Sequence, residues 1–178
     1  MRRFPQLGAS ATFAIALAVA ITTFAAACGG GAKTLSAAAY FDKLQAIADE
    51  TNQKETDAQP AEEESADLSP EELKAQAVDF LGAQAAILDD AVQQVDALKP
   101  PGDVRSQHDA FVAGINDLAN SFRDFAGQAA DVRPDQIEDF FNTEVFSQET
   151  FATFDETCSA LEQVATDKGI DVNLNCTE

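Results

Sequence analysis

The chain has 178 residues, of which 31 are acidic and 11 basic, giving a formal net charge of −20. Such a surface repels phosphates, which excludes a nucleic-acid partner, and it has no polybasic patch to engage anionic lipid. Dispersed acidity of this kind serves solubility.

The first predicted element is a leader. Met1-Arg2-Arg3 opens it, the stretch from Ala9 to Ala27 carries no charge, and Ala25-Ala26-Ala27 runs directly into Cys28 and Gly29-Gly30-Gly31. The stretch approaches the roughly 20 apolar residues of a membrane span. Its alanines and threonines are only weakly hydrophobic, however, and the Cys-Gly exit suits processing better than a stop-transfer flank. The arrangement resembles the lipobox of bacterial lipoprotein precursors, with Ala25 standing where leucine is usual. That resemblance implies that residues 1–27 are removed as a signal peptide and that Cys28 takes lipid on its sulfur. The protein would then be anchored by that lipid to a cell membrane, on its extracytoplasmic face. Ordinary cleaved secretion and an uncleaved anchor are the alternatives. Arg2-Arg3 is a fragment of a twin-arginine pattern, and general secretion is the expected route. Residues 28–34 form the lipidated cysteine and a Gly-rich spacer, reaching about 20 Å when stretched. Residues 35–178 are read as one domain, long enough to bury a real core.

The domain reads as all-α. Helix-forming residues dominate and few stretches alternate with period two. A first helix is predicted from Thr34 to Lys54, with Ala37, Phe41, Leu44, Ala48 and Thr51 on one face. Residues 57–68, with Pro60 and Glu62-Glu63-Glu64, form a solvated acidic linker. Ser69-Pro70-Glu71-Glu72 is a capping-box start for a second helix reaching Leu98. Two adjacent apolar stripes, one through Leu73, Ala77 and Phe80 and one through Leu81, Ala85 and Leu88, give that helix a broad buried face. Lys99-Pro100-Pro101-Gly102 ends it, so the third helix, Asp103 to Ala130, returns antiparallel. Val104, His108, Phe111, Ile115, Leu118, Phe122 and Phe125 make a heptad seam along it. Pro134 opens a short helical segment carrying Ile137, Phe140, Phe141 and Val145. Ser147 is placed to cap a last helix with Phe151, Phe154, Cys158, Leu161 and Ala165 on one face, and Gly169 to end it. The predicted fold is an up-and-down four-helix bundle with a short extra helix and a disulfide-pinned C-terminal tail.

With lipid on Cys28, Cys158 and Cys176 are the remaining internal pair, and outside the cytoplasm such a pair forms a disulfide. A metal site would need further ligands, yet the chain offers one histidine and no CxxC. The last helix rises about 15 Å from Cys158 to Lys168. The alternating tail Ile170–Cys176 can span about 23 Å when extended, so it can return along the helix. We read the bridge as a staple, not as redox chemistry.

Few residues suggest chemistry. His108, the only histidine, lies on the seam without the Glu-x-x-His companion of bundle metal sites, and fits a half-buried histidine hydrogen-bonded near the loop. Asp171-x-Asn173-x-Asn175 lacks the glycine and distal glutamate of a calcium loop, and no metal or cofactor is expected. Catalytic motifs are absent from the sequence, so no catalytic residue is assigned and an enzyme is not expected. Phe111, Phe140 and Phe141 belong to a phenylalanine-rich second half, which packs a core or lines an apolar pocket. The adjacent Phe140 and Phe141 cannot both face inward easily, and one of them is a candidate contact surface. Leu98, Pro100, Pro101, Val104, His108, Phe111 and Val112 resemble a string found in assorted bacterial lipoproteins, which implies a class but no activity. Two functional readings follow: a non-catalytic binding or scaffold module toward another envelope protein, or a lipoprotein binding a small apolar ligand or metal around His108 and the phenylalanines. The sequence does not set an oligomeric state.

Overall fold

A computed structural model describes residues 34–60 and 68–176. The leader, Cys28 with its spacer to residue 33, and the Glu62-Glu63-Glu64 run lie outside the described residues, as do Thr177 and Glu178. The described residues are helical with no strand, and four long helices account for most of them.

Helix α1 spans Ala37–Ala58, with Ser36 as its N-cap accepting from the Ala39 amide at 3.3 Å. It therefore starts later than Thr34 and runs past Lys54 into the expected linker. Local bonds carry that last turn: Gln53 Nε2 donates to Asp57 Oδ1 at 2.7 Å, and Thr56 Oγ1 to the Asn52 carbonyl at 2.8 Å. Helix α2 spans Pro70–Asp96 behind a complete capping box. Glu72 accepts from the Ser69 amide at 2.9 Å, while Ser69 Oγ accepts from the Glu72 amide at 3.3 Å. Ser69→Ala should cost about 1 kcal/mol in a urea unfolding titration, the usual worth of an N-cap. The helix stops two residues before Leu98, because a residue preceding proline disfavours the α region and Pro100 follows closely.

Helix α3 spans Arg105–Asp131, with Val104 as N-cap. Asp103, expected to begin this helix, lies outside it and pairs with Lys168 at the end of the last helix. The predicted seam is buried from Val104 to Phe122, with Phe125 half-buried.

A 3₁₀ turn, Pro134–Gln136, leads into the short helix α4, Ile137–Phe140, and then a π-helical turn, Phe141–Val145. Phe140 is buried against Phe125, and Phe141 is half-buried between Phe80 and Phe146. The wider turn lets both adjacent aromatics pack. The outward-facing aromatic is therefore neither of them but Phe146, which is 55% exposed.

Helix α5 spans Gln148–Asp167. Ser147 occupies its N-cap, but its hydroxyl bonds Thr150 Oγ1 at 3.0 Å instead of capping a backbone amide. Gly169 ends the helix at φ 69°, with Ile170 N–H bonding Ala165 O at 2.9 Å and Gly169 N–H bonding Thr166 O at 2.9 Å. That pair of bonds is a Schellman motif, which needs the left-handed residue glycine supplies.

The helices pack in chain order, α1 on α2, α2 on α3 and α3 on α5, while no comparable packing joins α1 to α5. Each pair is antiparallel. Leu35 N–H reaches Lys99 O at 2.8 Å while Lys54 pairs with Asp90 at 2.6 Å, fixing α1 against α2. Arg123 pairs with Asp89 at 2.7 Å across α2 and α3. Phe111 meets Phe154 and Phe122 meets Phe151 across α3 and α5. Gly114 permits that last approach, because a Cβ there would strike the Thr157 hydroxyl.

The tail folds back as its length allows, and Cys158 and Cys176 are bonded with Cα atoms 5.6 Å apart. It is not extended throughout. Asn175 turns at φ 58°, its amide bonding Asn173 Oδ1 at 2.8 Å, a local bond that makes the left-handed region tolerable for asparagine.

Candidate functional site

Between α1 and α5, which pack far less closely than the neighbouring pairs, an apolar cleft of about 260 Å³ opens into the core. Its α1 wall carries Leu44, Ile47 and Ala48, then Thr51, Asn52, Glu55 and Gln59. The floor is α2 from Phe80 to Val95 and α3 from Phe111 to Phe122; Phe151 and Phe154 of α5 stand opposite α1. Leu174 and Asn175 of the tail close one end, and Phe146 the other.

The tail acts as a strap across the gap. Asn173 N–H donates to Gln45 Oε1 on α1 at 2.7 Å, and Leu174 N–H to Glu162 Oε1 on α5 at 2.6 Å. The disulfide anchors its end to α5, and the buried Leu174 plugs the cleft beside Leu44.

Two polar side chains distinguish the Phe146 half. Gln84 occupies the α2 core stripe of Ala77, Leu81, Leu88, Ala91 and Val95 at spacings of four and three, where an apolar residue belongs. It is only 6% exposed, it lines the cleft, and no hydrogen bond among the described residues uses its amide. No buried side-chain nitrogen or oxygen among the described residues lacks a partner, so the Gln84 amide stays open to the cleft, a polar group within reach of a ligand on an otherwise apolar stripe. Glu55, the one titratable residue in the lining, is held above the usual carboxylate range by burial.

Of the residues singled out in the sequence, Phe111 lines this cleft. Phe140 and Phe141 do not; they pack at the α4 end of the fold. His108 stands apart from the cleft as well. It is 4% exposed, more deeply buried than its place near the loop suggested, and its Nδ1 lies 3.1 Å from the Tyr40 hydroxyl. Tyr40, itself fully buried, was missed: the α1 face drawn through Phe41 and Leu44 leaves it one position aside. Burial draws the imidazole below its ordinary value, against the opposing pull of Asp109 and Asp96, and pushes the Tyr40 phenol up. Gln84 was also missed, although a polar residue between Leu81 and Leu88 at seam spacing is a visible signal.

The His108 shift has a definite consequence. A neutral, buried histidine leaves the unfolded chain binding more protons below its own value near 6.5. Stability should be free of this contribution above that pH and fall as pH drops below it, until the folded-state value is passed. Glu55 works in the opposite direction, since protonation relieves its burial. Thermal melts from pH 7 to 5 should therefore show a steeper decline for the wild type than for His108→Phe; parallel curves would refute the assignment.

A second depression, about 340 Å³ between α3 and α5, is polar and more open, with Asp117, Glu144 and Glu149 around it. Among the described residues no cluster could hold a metal ion, and no helix is long and apolar enough to cross a membrane. No family model, curated protein or solved structure matches the chain.

Proposed function

We propose that the chain is an extracytoplasmic lipoprotein, an up-and-down four-helix bundle held to a membrane by lipid on Cys28. Its function is non-catalytic binding of a small apolar ligand in the cleft between α1 and α5. The cleft itself carries this reading: a bundle whose first and last helices are held apart exposes its core seam to a ligand. Ligand sites in helical folds form between helices in this way, lined mainly by apolar and aromatic side chains with a few polar groups. Binding is favoured over catalysis because Glu55 is the one titratable group among the lining residues. The anchor rests on the lipobox resemblance around Ala25–Cys28, and the disulfide accords with an oxidising compartment.

A photoreactive alkane tests the cleft, using the full chain in phospholipid nanodiscs. Adducts are expected on α1, α2 and α5 peptides. Ala48→Phe, which fills the cleft, should reduce them at least about tenfold, while the exposed control Ala46→Phe should not. Uniform labelling, or indifference to Ala48→Phe, would sink the reading. The exposed Phe146, packed on Phe141, favours a second reading in which this end meets another envelope protein. A photocrosslinker at position 146 in intact membranes tests it, and the absence of any protein adduct counts against it.

A further inference from the structure

Accepting the cleft as a ligand site, its chemistry narrows the ligand. The volume, about 260 Å³, falls below the roughly 300–1,000 Å³ of drug-sized pockets, so the occupant is slender. Apart from Asn175 on the strap, the polar lining residues lie away from the Leu174 end: Thr51, Asn52, Glu55 and Gln59 along α1 and Gln84 on α2. On α1, Leu44 lies eleven residues before Glu55; on the antiparallel α2, Val95 lies eleven residues after Gln84. Both intervals correspond to about 16 Å of helix. A bilayer's hydrocarbon core is about 30 Å thick, so the chains of one leaflet span about 15 Å. From Gln84 to the Leu174 plug, the cleft therefore has the length of one acyl chain.

The head group follows from charge. No basic residue lines the cleft and the chain carries a net charge of −20, so a carboxylate or phosphate head meets no counter-charge. Gln84 offers an amide that both donates and accepts, which suits a neutral hydroxyl or ester carbonyl. We infer that the cleft holds a single-chain amphiphile with an uncharged, hydrogen-bonding head, of the monoacylglycerol or long-chain alcohol class, its head on Gln84 and its chain directed toward Leu174.

The test uses the full chain in nanodiscs with a monoacylglycerol bearing a diazirine at the chain terminus. Adducts are expected on peptides containing Leu44, Val95 or Leu174; adducts confined to Phe80 and Phe146 would overturn the orientation. Unlabelled monoacylglycerol should suppress labelling. A fatty-acid anion, an alkyltrimethylammonium and a two-chain phospholipid should each compete at least about tenfold less well, the effect of one good hydrogen bond at a buried site. Equal competition by any of the three overturns the proposal without any variant. Gln84→Leu should weaken monoacylglycerol binding about tenfold while leaving photoreactive-alkane labelling unchanged. If Gln84→Leu binds monoacylglycerol as the wild type does, the head-group inference fails alone. If neither probe labels the cleft, the apolar-site reading fails with it.

Discussion

Replacing Cys158 and Cys176 by serine is expected to lower the unfolding free energy by about 3 kcal/mol, the chain-entropy worth of closing a loop of this size. The bridge joins positions 18 residues apart and closes the Schellman turn and the returning tail into one unit. The tail's other ties are the amides of Asn173 and Leu174 on Gln45 and Glu162, the burial of Leu174, and the partly buried Ile170 and Val172 packed on the core. Two hydrogen bonds and one leucine supply about 4–5 kcal/mol, short of the roughly 7–14 kcal/mol of backbone entropy lost in ordering seven residues. The serine variant should therefore lose the strap before it loses the helices. Urea titration reads the stability, and limited proteolysis reads the strap: cleavage between Ile170 and Cys176 should appear under conditions that leave α1 to α5 intact. A tail that stays protected in the variant would show that the side-chain ties alone hold it. A released tail would also unplug the cleft beside Leu44, so apolar probes should enter faster and be held less tightly.

Gln84→Leu should act in the opposite sense on stability, raising it by about 2 kcal/mol by placing an apolar side chain where the core stripe has an amide. For a chain of this length that corresponds to about 4–8 °C in melting temperature. The substitution completes the seam from Ala77 through Leu81, Leu88 and Ala91 to Val95. A stabilising change at a site that binds is the usual trade between fold and function. The expectation is specific: calorimetry without added amphiphile should show the rise. A fall would mean that the amide satisfies something essential to folding.

Much of the fold was legible in local chemistry. The capping box at Ser69, the Pro100-Pro101 stop, the seam from Val104 to Phe122 and the left-handed Gly169 all act within a few residues, so spacing and residue type suffice to read them. Errors fell where weak local preferences met packing or alternative bonds. Ser147 found a threonine hydroxyl instead of a backbone amide, and α1 outran its predicted end through bonds along its own polar face. Phe140 and Phe141 were expected to force one ring outward, but a π-turn accommodated both and left Phe146 exposed. The candidate site was far less legible. Phe111 lines it from the apolar seam that periodicity marks, whereas His108 is hydrogen-bonded to Tyr40 and buried apart from the cleft.

The sequence by itself determined the helices, their order, their apolar faces and the reach of the tail, because helix periodicity, caps and chain length are properties of neighbouring residues. Only the tertiary structure decided that a cleft opens between α1 and α5, that the strap spans it, and that Gln84 turns its amide into it. Those features depend on how far one packed helix pair splays from another, a distance set by the summed volumes of side chains remote in sequence.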